Sequence, residues 1–261
     1  MFDADRRRWV SAGLTAVGTA VGFTVLSVLT GGFVVVPLLG PVDVAVGLAV
    51  PLGLWFGGPA AVGIGTGVAL SAVVESTLSW WTLLDATVYG AVGVLTRRLW
   101  GTLPKVASSQ PPGIRSPAQW LEFVAVTVIV TTIAASAFAW GAVVGWASPF
   151  HAVALPEWTL LLRSTLVIGP PVLLAGSAVD QTIVFEDDQR LSIRSGAFWG
   201  GIVVPILWFT LGIASSIGLG SRRLEMIGGA LALSVIAVTY LPRYERESDN
   251  NPSQQPTPTD A

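Results

Sequence analysis

The apolar residues of this chain fall into successive long blocks of about 17 to 30 residues, and that spacing constrains the fold more than any other feature. A bilayer hydrocarbon core is about 30 Å thick, and about 20 helical residues cross it. Inside lipid every backbone N–H and C=O has to be satisfied within the segment, so blocks of this length read as helices. Only 11% of the 261 residues are charged while 52% are hydrophobic, against roughly 25% charged in a typical soluble domain. So few charges cannot coat a water-soluble surface. The fold class expected is an all-α, polytopic integral membrane bundle in the cell membrane.

The blocks predict eight transmembrane helices, at about 9–30, 41–57, 60–78, 82–99, 118–147, 158–179, 197–217 and 224–241. The first follows Arg6-Arg7-Arg8 as a signal peptide would, yet it runs for about twenty residues and lacks an A-x-A cleavage site, so it reads as a retained helix. The tail 243–261 is polar and has no apolar anchors, which predicts a disordered segment. Short loops on the cytoplasmic side carry the excess of Arg and Lys. With the N-terminus inside, that side collects Arg6, Arg7, Arg8, Arg97, Arg98, Lys105, Arg115, Arg190, Arg194, Arg243 and Arg246. The outer side collects Arg222 and Arg223 alone. Both termini are therefore expected in the cytoplasm, and the Arg222-Arg223 pair is the weak point of that topology.

The chain contains no cysteine and a single histidine, His151, which excludes disulfides, thiolate chemistry and multi-histidine metal clusters. Nothing points to nucleic-acid binding or a cofactor. No nucleophile elbow or metal motif is present, so no enzymatic activity is expected.

Five of the eleven residues in GGPAAVGIGTG, 57–67, are glycine, a density that raises the question of a phosphate loop. A dinucleotide fingerprint needs a preceding strand, and a P-loop needs a terminal Gly-Lys-Ser or Gly-Lys-Thr. Neither is present. Gly57-Gly58-Pro59 reads as a turn with Pro59 starting the next helix, and Gly63, Gly65 and Gly67 leave that helix smooth enough for close packing.

The segment 31–40, GGFVVVPLLG, is apolar but broken by glycine and proline. It is either a lid on the outer face or an extended start to helix two, with Pro41 first in that helix and Asp43 in its first turn. Ionisable groups within membrane segments are costly and are functional candidates by default. On the predicted topology Asp43, Glu75, Asp85 and Arg163 come from four helices to similar depth near the outer face. Trp80-Trp81 run between them, and Tyr89 lies one turn beyond Asp85 on the same helical face. These residues form either an outward-open solute pocket or an ordinary set of interfacial aromatics and helix-end charges. Arg163, set among leucines, has the strongest need of a partner. His151 and Glu157 fall in a predicted outer loop, SPFHAVALPE. Glu186-Asp187-Asp188 reads as a solvated connector, and Gly169-Pro170-Pro171 as an interruption of helix six.

Leu54, Phe56, Gly57, Pro59, Ala60, Gly63 and Gly67, followed by Gly90, Gly93, Arg97 and Arg98, form a hairpin-plus-helix pattern. It resembles the substrate-binding S components of energy-coupling-factor (ECF) vitamin transporters. The resemblance implies a six-helix bundle over 1–180, with 181–242 as an additional hairpin outside the family pattern. It also implies a pocket beneath the loop joining the first two helices, and an Ala12, Ala16, Ala20 surface docking a transmembrane coupling subunit that works with ABC ATPases. The function so implied is capture of a small solute for uptake. The alternative is a membrane sensor or scaffold subunit.

Overall fold

The computed structural model describes residues 2–30, 34–36, 40–101, 112–178, 195–218 and 221–240. The tail 243–261, the acidic run 186–188 and the basic residues 105, 190, 194, 243 and 246 lie outside them. The described residues form eight helices: α1 (Phe2–Thr30), α2 (Val44–Phe56), α3 (Gly58–Val74), α4 (Trp80–Leu99), α5 (Pro117–Trp146), α6 (Phe150–Ala178), α7 (Ser195–Gly218) and α8 (Arg222–Tyr240). Between α1 and α2 stand two short antiparallel strands, β1 (Val34–Val36) and β2 (Gly40–Val42). Three segments, Trp9–Thr30, Pro117–Trp146 and Phe150–Gly176, are long and apolar enough to cross a membrane. The chain is a helical, membrane-associated protein.

The helices pack in a graded stack. α1 lies at one side on α3, α3 lies on α4, α2 packs with α4 and α6, and α5 meets α4, α6, α7 and α8. The most apolar window of α5 is 78% buried against 17% for α1, so α5 is the centre and α1 the rim. The start of α5 is set by a capping box: Gln119 N–H donates to Ser116 Oγ while Ser116 N–H donates to Gln119 Oε1, satisfying donors that a helix N-terminus leaves open.

GGPAAVGIGTG is packing surface. Gly57, at φ +57, ends α2 and precedes α3, with Pro59 in the first turn of α3. A Cβ at Gly63 would lie 2.5 Å from Ala16 O, one at Gly67 2.9 Å from Ala20 O, and one at Gly65 2.8 Å from Ala86 O. Thr24 Oγ1 completes the α1–α3 seam by donating to Gly67 O at 3.1 Å. Small residues thus let helix backbones touch, the arrangement that holds helices together in lipid. Of the alanines expected to dock a partner, Ala16 and Ala20 have their carbonyl oxygens against α3, Ala20 is buried, and Ala12 and Ala16 are half-buried.

Several boundaries depart from those expected. Part of the 31–40 segment is strand, Pro41 belongs to β2, and α2 begins only at Val44. Asp43 is therefore the N-cap of α2, accepting from Val46 N–H at 3.0 Å, rather than a first-turn residue. α4 begins at Trp80, so Trp80-Trp81 is helical rather than a turn. α6 begins at Phe150, only three residues after α5 ends, because Ala147 adopts a left-handed cap with φ +58 that reverses the chain at once. His151 and Glu157 are consequently helical, not in a loop. Pro170 and Pro171 do not interrupt α6, which runs through them with the Phe123 ring against Gly169.

The Arg222-Arg223 pair, the exception in the charge count, has a structural use. Arg222 Nε donates to Val143 O at 3.0 Å and Nη2 to Val144 O at 3.1 Å. Both carbonyls lie in the last turn of α5, where a cation meets the negative end of the helix dipole. Trp140 Nε1 adds a bond to Met226 O at 3.0 Å, so α8 is fastened to α5 at two points one turn apart.

Candidate functional site

Trp81, Asp85 and Tyr89 repeat at intervals of four residues, so α4 presents them as one stripe. The Trp81 ring stacks on Trp146 at 3.9 Å and Tyr89 on Phe138 at 5.4 Å, which turns the stripe towards α5. Two further carboxylates approach from elsewhere, Asp43 at the start of α2 and Glu157 in the second turn of α6. Asp43, Asp85 and Glu157 lie close enough to act electrostatically on the Tyr89 hydroxyl, and Asp43 and Asp85 on Glu157. All three are half-buried. Burial pushes the Asp43 carboxyl above the usual carboxylate range, against the opposing pull of the Val46 and Ala45 N–H donors. Trp81 Nε1 is buried, with no hydrogen-bond partner among the described residues.

The β-hairpin closes onto this region through α6. Asp43 N–H donates to Ser164 Oγ at 2.9 Å, and Ser164 is fully buried. Next to it, Arg163 reaches the hairpin: a Cβ on Gly40 would stand 2.9 Å from Arg163 Nη1. Gly40 has φ +85, so both its backbone and the guanidinium beside it require glycine. α2 can come this close because a Cβ at Gly47 would meet Ser164 O at 2.6 Å.

The structure therefore brings together Asp43, Asp85 and Tyr89, with Trp81 on the same stripe and Arg163 beside the hairpin that Asp43 ends. Trp80 is exposed, and its ring stacks on Trp81 at 4.4 Å. Glu75 is exposed as the C-cap residue of α3. Glu157 takes the place that sequence reasoning gave to Glu75. It was missed because Pro156 reads as a helix breaker, whereas α6 carries Pro156 within its early turns. The short Ala147-Ser148-Pro149 link was the signal for an earlier start, since proline favours the beginning of a helix. His151 is tied to α7, its Nδ1 lying 2.9 Å from Ser216 Oγ.

Among the described residues no three His, Asp or Glu side chains are grouped closely enough to hold one metal ion. Comparison with protein-family models, with curated proteins and with solved structures gives no match.

Proposed function

We propose that the chain is the solute-binding subunit of an uptake transporter, an eight-span protein with both termini in the cytoplasm. It captures a small solute from the outer side and is joined by a coupling subunit and ABC ATPases. The pattern of residues 54–98 that resembles the ECF S components supports this reading. The observation that carries it is the convergence of three carboxylates, from α2, α4 and α6, on one tyrosine. Carboxylates within a membrane bundle face a cavity or a cationic partner. Carboxylates so placed suit a solute that bears an amine. Trp81 Nε1–H offers that solute one donor. Arg163 and Ser164 hold the hairpin over the group.

Mass spectrometry of small molecules released from the purified protein tests this. Wild type should release an amine-bearing compound that an Asp85→Asn, Glu157→Gln double variant lacks, with both proteins equally folded. Equal retention by the variant would remove the carboxylates from the site. The topology is tested separately in this cysteine-free chain. A cysteine at Ser148 should react with an impermeant thiol reagent from outside, and one at Arg115 should not. The reverse pattern overturns the outward-facing reading.

A further inference from the structure

Helix α2 runs through a buried proline, Pro51. Proline has no N–H, so the Gly47 carbonyl one turn earlier lacks the partner an unbroken helix would give it, and the ring presses against that carbonyl. Sharp bends in helices occur at such points. What sets Pro51 apart is how α2 is moored on either side of it. Outward of the proline the moorings are to α6. Asp43 N–H donates to Ser164 Oγ at 2.9 Å, and a Cβ at Gly47 would lie 2.6 Å from Ser164 O and 2.7 Å from Ile168 Cβ. The strand β2, which leads into Asp43, lies on α6 as well.

Inward of Pro51 the firm moorings are to α4. A Cβ at Gly53 would lie 2.6 Å from both Cα and O of Gly93. Leu54 O, in the last turn of α2, accepts from Arg97 Nη1 at 3.0 Å. Carbonyls in a last turn have no partner within the helix, and a cation there meets the negative end of the dipole. The inner half also touches α6, through the Trp55 ring over Gly176, but a ring can turn where two backbones cannot. The site residues divide along the same line. Asp43 and Glu157 belong to the outer half of α2 and to α6, whereas Trp81, Asp85 and Tyr89 stand on α4. Glu157 and Ser164, two turns apart, share a face of α6, so Glu157 and the Asp43 that Ser164 holds form one wall. Across the divide Asp85 acts electrostatically on Glu157, and two like charges repel.

We propose that Pro51 is the hinge of the solute site: the α6 wall, with Asp43 and Glu157, swings about it against the α4 wall, with Asp85 and Tyr89. A cationic solute between the walls replaces the repulsion of Glu157 and Asp85 with two attractions, and so draws the walls together. This rests on the reading of the carboxylates as the solute's contacts and adds how that site opens. From Pro51 to Asp43 the helix rises about 12 Å. A change of about 20° in the bend, the size of a proline kink, therefore carries Asp43 about 4 Å. Leu54 and Arg97 keep the inner half in place on α4 while the outer half moves.

The hinge is measured without any solute, by electron–electron double resonance on the full chain in lipid bilayers. Nitroxide labels go on Leu83→Cys in α4 and Leu155→Cys in α6, both exposed positions of a cysteine-free chain. A reference pair, Leu83→Cys with Val74→Cys in α3, spans α3 and α4 alone. In alkaline buffer Asp85→Asn removes the repulsion across the divide and should shorten the α4 to α6 distance by about 4 Å, the swing of a proline kink, leaving the reference pair unmoved. Pro51→Ala restores the missing N–H and should cancel that shortening; Pro51→Leu, which refills the volume of the ring, repeats the test if the alanine variant does not fold. An α4 to α6 distance unchanged by Asp85→Asn, an equal shift in the reference pair, or a shortening that survives in a folded Pro51 variant would each overturn the hinge. Solute retention by the Asp85→Asn, Glu157→Gln double variant bears on the binding reading alone, so the two fail separately.

Discussion

Across α1 to α4 glycine faces another helix's backbone: a Cβ at Gly53 would lie 2.6 Å from both Cα and O of Gly93, and one at Gly63 2.5 Å from Ala16 O. Across α5 to α8 several glycines lie beneath side-chain rings instead, Gly169 under Phe123 and Gly212 under Phe150, with Gly229 under Trp140. The two halves use one residue type for opposite ends. Backbone against backbone leaves nothing that can give way, so the contact fixes the distance between two helices. A ring over glycine can tilt or slide, so the contact fills space without setting the distance.

The largest effect should therefore come from Gly53→Ala. Its new methyl meets only backbone, so α2 and α4 must separate, at a cost above about 3 kcal/mol, the upper end for overpacking. Size-exclusion chromatography in mild detergent should show loss of the folded peak, and a variant that elutes and melts like wild type breaks the distinction between the halves. Gly212→Ala should cost about 1–2 kcal/mol, because the Phe150 ring edge, 2.7 Å from the new carbon, can shift. A lowered but cooperative thermal unfolding is expected. Trp158→Phe tests whether the second half leans on polar contacts, since Trp158 Nε1 donates to Thr132 Oγ1 at 3.1 Å. Loss of about 1 kcal/mol, a typical single hydrogen bond, should appear in the same assay. The smallest effect is expected at Gly18, where a Cβ would meet nothing within 4 Å. Gly18→Ala should raise stability by about 0.5–1 kcal/mol through helix propensity alone, and a loss there would place an unseen neighbour on α1.

Much of the helical frame could be read from the sequence because block length is a local property. Pro59 at the start of α3 and the Gly57 turn carry their own signals, and both stand where they were expected. The β-hairpin could not be read this way. Two strands of three residues lie against Arg163 and end at Asp43, which bonds Ser164, more than a hundred residues further along, and nothing near Val34 announces those partners. The site was legible in part for the same reason. Trp81, Asp85 and Tyr89 share a stripe that spacing alone reveals. Glu157 joins them only once α6 is allowed to begin eight residues earlier and to carry Pro156 inside it. Glu75, at a similar place in the predicted topology, is left at the surface because α3 stops at Val74.

The fastening of α8 to α5 bears on how this chain can be divided. Arg222 and Trp140 join the two helices, and the His151 to Ser216 contact joins α6 to α7. None of these bonds depends on the covalent link between α6 and α7. Residues 1–186 and 187–261, expressed as two separate polypeptides, should therefore find each other in the membrane and co-purify. The last hairpin would then behave as a subunit that happens to be encoded in the same reading frame.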